Sequence, residues 1–589
     1  MTVPTRADIV AEAERGTLLD AIFRNFWGCS YQDYDALTDV LADAHNDGEV
    51  ELLNVLEPCA LDLFHGHVRE HGRQIYGRLL GKLNTPAASI LFAFDALYEA
   101  DNVGSVVATD ALGVWCSVSP ERPLELLKLI DDEFPSAAKY HSLAIAIRCG
   151  LRVDSAYFSD RAYEFLVSGS ELQRIDVIRA LISVSFVEND EWIRVLGVFQ
   201  SSLTRETSEE VRSALLKTAL SWFQSAPVVH AETIHDLVTQ ATAPTSSKVA
   251  REVAYALAFN FKGFDITVRE SLLSVLYSIN PDVDTLNLID LALTHFIEEG
   301  SAEHARNYIE TLVLRDGKKF SFSHFDSVIQ GLRDDKPKQL DEWVVSWLMS
   351  GEYALCRELN DGLFDGEDEH RFQIDFTQFR LAELDYGFVA RKAIAAFFSK
   401  PMNIATLMVS LGRSASFAQI NELRGLLFDP VLINYPSLAE KYLRSVADDK
   451  EDKASPMVRH ALARLDDYLS GIEKIGFVPE FQPSERERQI EWQLRSDSMA
   501  DAMRKGTKHS FLADFVSHRV LLYGNGMVSW VKDLSASVQQ GGRPSLPLRR
   551  IEVELKTYSR QFELPREEIL DPAGLRSTLL NFKLERRSQ

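Results

Sequence analysis

The chain has 589 residues, 46% hydrophobic and 25% charged, the balance of a well-packed globular protein. Its 63 Lys and Arg stand against 87 Asp and Glu, and the resulting charge of −24 repels nucleic acid over most of the surface. No run approaches the ~18 apolar residues of a bilayer-spanning helix. The start, MTVPTRADIVAEAERG, lacks an apolar secretory core, and Cys29, Cys59, Cys116, Cys149 and Cys356 are too scattered for a disulfide framework. A cytoplasmic protein without a membrane partner is expected.

Residues 1–85 read as an amino-terminal helical region, with helical patterns in ADIVAEAERGTLLDAIFRNF, YDALTDVLADAH and VELLNVLEPCALDLF. At Pro86–Val118 the pattern becomes regular. Ile90, Leu91, Phe94, Leu97 and Tyr98 make one apolar stripe, and Val103, Val106, Val107, Leu112 and Trp115 make a second, joined by Asp101-Asn102. Neither helix buries its stripe alone, so a similar neighbour must cover it. Helices are expected near 120–133, 136–150, 155–168, 171–187, 190–202 and 208–225. They continue near 230–242, 247–261, 266–279, 284–299, 302–315 and 338–349. Pro120, Pro123, Ser208-Glu209-Glu210 and Asp284 supply start signals. One helical hairpin therefore takes about 35 to 40 residues.

The tetratricopeptide pattern does not recur. The irregular repeats over residues 30–475 resemble the HEAT/armadillo class of helical-repeat proteins, on period and pattern alone. That resemblance implies an α-solenoid that scaffolds or binds other macromolecules; separately, no cofactor is expected.

Residues 361–371, DGLFDGEDEHR, interrupt the pattern with an acidic loop, and helices resume near 388–399, 402–411, 416–427, 435–447 and 456–474. PEFQP (479–483) ends the repeat region, taken as 86–475. A linker and charged helix occupy 476–508, where Ser484 and Glu487 form a capping box. In 509–589 the character changes. RVLLY, Gly524-Asn525-Gly526 and MVSWV form a β-hairpin signal, and RIEVELK reads as a further strand. The expected fold is mostly α, an irregular α-solenoid of helical hairpins with a small carboxy-terminal α+β module containing a β-hairpin. The last 106 residues carry 18 Lys and Arg against 14 Asp and Glu, while the preceding 483 carry 45 against 73.

Several motifs invite chemistry. His67-Val68-Arg69-Glu70-His71 matches H-x-x-E-H, which would place two metal ligands on one helix face with Glu70 beside them. An exposed polar helix face explains it better, since no third ligand is evident. Glu554-Leu555-Lys556 fits the E-x-K half of a PD-(D/E)xK nuclease, with Asp533 as the acid from a preceding strand. The plain alternative puts Ile551, Val553 and Leu555 on a core and the charges in solvent. Arg543, Arg549, Arg550, Tyr558 and Arg560 form a basic, aromatic cluster suited to phosphates and bases, diluted by Glu552 and Glu554. Asp361, Asp365 and Gly366 begin like a calcium loop, but the position of its bidentate Glu is Phe372. Gly77–Lys82 is one residue short of a phosphate loop and lies in helical sequence. Trp343 and Trp347 are expected in the core. The expectation is a non-catalytic scaffold with a protein partner. The runner-up is nucleic-acid binding or metal-dependent cleavage through the basic carboxy-terminal module.

Overall fold

The computed structural model describes residues 3–587 except for short stretches, the longest being 57–60, 133–140, 365–369, 479–482, 509–515, 522–525, 533–537 and 555–562. Between 502 and 562 it describes backbone alone, apart from Arg550. The chain divides into two compact units, Met1–Leu340 and Asp341–Gln589.

The first unit opens with α1 (Arg6–Glu14), α2 (Leu18–Phe23) and α3 (Tyr34–Asn46). The stack then runs α4 (Gly66–Leu79), α5 (Ala87–Leu97), α6 (Asn102–Val118), α7 (Arg122–Asp132) and α8 (Ser142–Gly150). It continues with α9 (Ser155–Ser168), α10 (Glu171–Leu181), α11 (Asn189–Arg205), α12 (Glu209–Trp222) and α13 (Ala231–Thr242). It ends with α14 (Ser247–Phe259), α15 (Ile266–Leu276), α16 (Val283–Glu298), α17 (Ala302–Asp316) and α18 (Asp326–Asp334). Polar side chains start several of these helices: Ser208 caps α12 at the expected signal, Ser246 and Asp265 cap α14 and α15, and Asp282 rather than the expected Asp284 caps α16, each accepting a first-turn N–H.

Two layers result. Each even-numbered helix from α4 packs on the next even one, up to α16 on α18, while α5 packs on α7, α9 on α11, and α11 on α13. Hydrogen bonds between neighbouring repeats keep a steady register. Ala87 N–H donates to Glu125 (2.8 Å) over 38 residues, Thr218 Oγ1 to Ile178 O (3.3 Å) over 40, and Ser327 N–H to Asp290 (2.9 Å) over 37. His230 and Asn189, 41 apart, meet at 2.9 Å. This is the repeat length read from the sequence, and it makes the unit a helical-repeat stack. Large side chains fill the space between layers: Trp115, Trp192 and Trp222 are fully buried, the last two edge to face with centroids 5.6 Å apart.

The second unit contains most of α19 (Pro337–Ser350), then α20 (Tyr353–Glu358), a π-helical turn Leu359–Leu363, α21 (Asp385–Phe397) and α22 (Pro401–Ser414). Next come α23 (Phe417–Leu426), α24 (Glu440–Asp448), α25 (Ser455–Ile475) and α26 (Glu485–Lys508). Helix α22 is buried on every side from Pro401 to Gly412. Its Thr406 and Ser410 are satisfied by Phe372, whose N–H donates to Thr406 Oγ1 (3.0 Å) and whose carbonyl accepts from Ser410 (3.3 Å). Trp343 and Trp347 are core residues, as expected. The Ser484–Glu487 capping box forms at the start of α26.

Backbone pairing over 516–554 joins β1 (Val516–Leu521), β2 (Gly526–Lys532) and β5 (Leu548–Glu554) in the order β1-β2-β5, with β3 (Val538–Gln540) beside β4 (Arg543–Ser545). The expected separate α+β module is nevertheless corrected, because the carboxy-terminal helices build into the helical unit. Helices α27 (Glu567–Leu570) and α28 (Pro572–Leu584) belong to a strap laid over the preceding helices, with α28 packed on α21. Glu563 accepts from Ser437 N–H and Leu438 N–H (2.9 and 2.8 Å), Glu567 N–H donates to Asn434 (2.9 Å), and Lys392 Nζ donates to Lys583 O (2.9 Å). Arg391 clasps Glu585 (2.8 and 2.7 Å). These partners lie more than 120 residues away along the chain, so the local turn and charge signals near 524 and 550 carried no information about them.

Candidate partner-binding surface

Each interior even helix of the first unit is covered on both flanks by its even neighbours and beneath by the odd layer. Its exposed positions therefore share one remaining face. On α8 that face shows the half-buried Arg148, and it shows exposed Arg179 on α10 and Lys217 on α12. On α14 it shows Arg251, Tyr255 and Phe259, spaced i, i+4, i+8, and on α16 it shows Leu291. Short contacts align these positions. A Cβ on Gly113 of α6 would lie 3.6 Å from the Arg148 guanidinium, and Lys217 Nζ stands 5.6 Å from the Tyr255 ring centre. Tyr255 and Phe259 pack ring to ring at 4.7 Å, yet Phe259 is 59% and Tyr255 45% exposed.

The electrostatics of the two layers differ. Arginines of the odd layer pair with carboxylates across repeats: Arg161 with Asp131, Arg194 with Asp160 (2.7 Å), Arg269 with Glu299. On the even face, among the described residues, Arg148, Arg179 and Lys217 form no ion pair with a carboxylate. Arg179 Nη1 instead donates to His141 Nε2 (2.5 Å), and His141 Nδ1–H donates to Asp176 (2.7 Å). His141 takes a left-handed φ of 65°, a cost that the bond to Asp176 offsets. Burial holds the Asp176 carboxyl above the usual range, against the pull of His141. The other acids of these helices stand aside: Glu171, Glu209 and Glu210 occupy first turns, and Glu210 pairs with Lys248. Glu252 on α14 is half-buried. The result is a stripe of cations leading to an aromatic and aliphatic patch.

The motifs singled out by sequence lie elsewhere. His67 is exposed on α4, but His71 is engaged: the Tyr34 hydroxyl bonds Nδ1, the ring meets the Ile22 backbone, and burial holds the imidazole below the ordinary histidine range. Glu70 accepts from Gln74 (2.8 Å). Among the described residues, no group of three or more His, Cys, Asp or Glu is placed to hold a metal ion. Asp533, Lys556, Tyr558 and Arg560 lie outside the described residues. Arg543 sits on β4, Arg549 and Glu554 on β5, and Arg550 is exposed. Lys532, which precedes Asp533, pairs with Leu548, six positions along β5 from Glu554, about 20 Å at strand spacing. Gly77 and Gly81 lie in or beside α4 and face Val107 and Val114 of α6, where added Cβ atoms would fall 2.6 and 2.3 Å from side-chain carbons. They serve close helix packing.

In the second unit, a cleft of about 1170 Å³ runs beside the strap, lined by Tyr353, Leu384, Asp385, Lys583, Arg586 and Arg587 among others. Its most buried carboxylate, Asp385, is already held by Arg587.

No family model and no curated protein matches the chain. Two solved structures show a weak likeness. An engineered protein is 14% identical, with 70% of this chain and 99% of that chain covered and a TM-score of 0.20. A circular tandem repeat protein with novel repeat topology and enhanced subunit contact surfaces is 12% identical, with 80% and 99% covered and a TM-score of 0.20. Scores of that size carry no argument about fold or function. Among the described residues, no helix is long and apolar enough to cross a membrane.

Proposed function

We propose that this chain is a non-catalytic scaffold that holds a protein partner on the exposed face of its even-numbered helices. The observation that carries this reading is the Tyr255–Phe259 pair. Two large rings stay exposed side by side on a layer whose Trp115 and Trp222 are buried in the stack. Aromatic side chains in the open, ringed by polar groups, are the usual anchors of protein interfaces. A helical-repeat layer supplies the extended surface on which such anchors act together.

The test is affinity capture with the full chain, comparing wild type with Phe259→Asp. Phe259 points into solvent, so the substitution leaves the stack intact. At least one captured protein should lose about tenfold in enrichment. An identical set of proteins at equal enrichment would overturn the reading.

A further inference from the structure

We infer that the segment docking on this face is acidic and extended, with carboxylates meeting Arg148, Arg179 and Lys217 in turn and an apolar side chain following onto Tyr255 and Phe259. This rests on the scaffold reading above and adds the chemistry of the partner. The charge argument is local. The protein is acidic as a whole, yet this stripe presents cations from three successive helices without an ion pair among the described residues. Lys217 touches a ring, and Arg179 the imidazole of His141. A carboxylate arriving there finds a partner without displacing one.

Geometry sets the spacing. Packed helix axes lie about 8–10 Å apart, and a polyproline II segment advances about 3.1 Å per residue with about three residues per turn. Every third residue of such an extended segment therefore returns to the same face and meets the next helix. Acids at positions 1, 4 and 7 would face α8, α10 and α12, and an aromatic or aliphatic residue at position 10 would reach α14. A protein segment fits better than nucleic acid. Three cations along such a stripe are few for a polyanion, the −24 charge opposes its approach, and the patch beyond Lys217 is partly aliphatic through Leu291.

The probe is a labelled ten-residue peptide with Glu at positions 1, 4 and 7, Phe at 10 and Ser, Thr or Gln between. It is compared with a scrambled peptide, a Glu→Gln peptide and a single-stranded DNA 20-mer, by anisotropy with the full chain. The designed peptide should bind, weaken as salt rises, and lose about tenfold with Arg148→Glu/Arg179→Glu/Lys217→Glu, whose thermal unfolding is checked in parallel. Lys217→Glu alone, at a fully surface position, should lose about threefold. No binding of the designed peptide, equal binding of the scrambled or Gln peptides, indifference to the charge reversals, or tighter binding of the DNA would each overturn the inference. Capture that responds to Phe259→Asp but not to the charge reversals would sink this inference and leave the scaffold reading standing. Capture that responds to neither would sink both.

Discussion

Arg587 grips Asp385 with two parallel hydrogen bonds, Nε–H to Oδ1 at 2.8 Å and Nη2–H to Oδ2 at 2.7 Å, across 202 residues of sequence. The pair fastens the last turns of the chain to the start of α21. It matters because the strap is held chiefly by polar contacts: Leu575 is its one buried apolar residue among those described, while Leu570, Leu580 and Leu584 face solvent.

Arg587→Ala should therefore loosen α28 without unfolding the helices beneath. A charge-assisted bidentate bond at a half-exposed arginine is worth about 1–2 kcal/mol. Hydrogen exchange of the Pro572–Leu584 amides should rise, while that of α22 stays unchanged. The pH dependence has a definite sign. Burial alone would raise the Asp385 carboxyl, but the Arg587 and Ala382 hydrogen bonds outweigh it and hold it below the usual range. Its contribution is present above the unfolded value near 4 and is lost as pH falls through the lower folded value. Protection factors in α28, taken relative to the intrinsic exchange rate at each pH, should fall on acidification below about pH 4, and in Arg587→Ala that fall should shrink.

Asp341 titrates the other way. Burial, reinforced by the neighbouring Glu342 charge, pushes its carboxyl up to about 6. A raised folded value means that the group favours the fold below about pH 4 and that this stability is lost as pH rises toward 6. Asp341→Asn should stabilise the protein at pH 7 by about 1 kcal/mol, discounted for partial exposure, and leave it unchanged at pH 4. Chemical denaturation at the two pH values checks this, and equal effects at both would refute it.

Trp192 and Trp222 meet edge to face, but only Trp192 has a hydrogen bond for its indole N–H, to Phe186 O at 3.2 Å. Trp222 Nε1 is buried with no partner. Trp192→Phe should cost more than Trp222→Phe, because the first strands a carbonyl and the second removes an unsatisfied donor. The difference is about 1–2 kcal/mol in denaturant unfolding. Either tryptophan replaced by Ala should cost about 3–5 kcal/mol.

Asp290 on α16 caps the following even helix from outside, accepting Ser327 N–H at 2.9 Å and Val328 N–H at 3.0 Å. Asp290→Asn would set an amide NH₂ against one of these donors and should cost about 1–3 kcal/mol. The loss should appear first as faster exchange in α18. Uniform exchange across the stack would show that the cap is not a local device.

Much of this could be read in the chain itself. Stripes such as Ile90, Leu91, Phe94 and Leu97 are buried as their spacing predicts, and Ser155–Ser168 is a helix at the expected bounds. The 35 to 40 residue period returns as the register of hydrogen bonds between repeats. These features are local: a stripe at helical spacing must find a cover, and the next repeat is the nearest one. The cation stripe left a fainter signal, the basic residues Arg148, Arg179 and Lys217 within α8, α10 and α12. It becomes visible only when the layers show which positions stay open.

Other features came from tertiary structure alone. Nothing near Asp385 announces Arg587, and nothing near Asn434 announces Glu567, because a polar contact across more than a hundred residues leaves no periodicity. H-x-x-E-H suggested a metal, but Tyr34 and the Ile22 backbone, brought in by other helices, occupy His71. The sequence by itself determined which faces must be buried and at what repeat length, since apolar spacing acts within a few turns. Which charges are neutralised and which stay open, as Arg161 and Lys217 respectively do, was decided by long-range packing, because pairing depends on the distance between helices that the chain order does not encode.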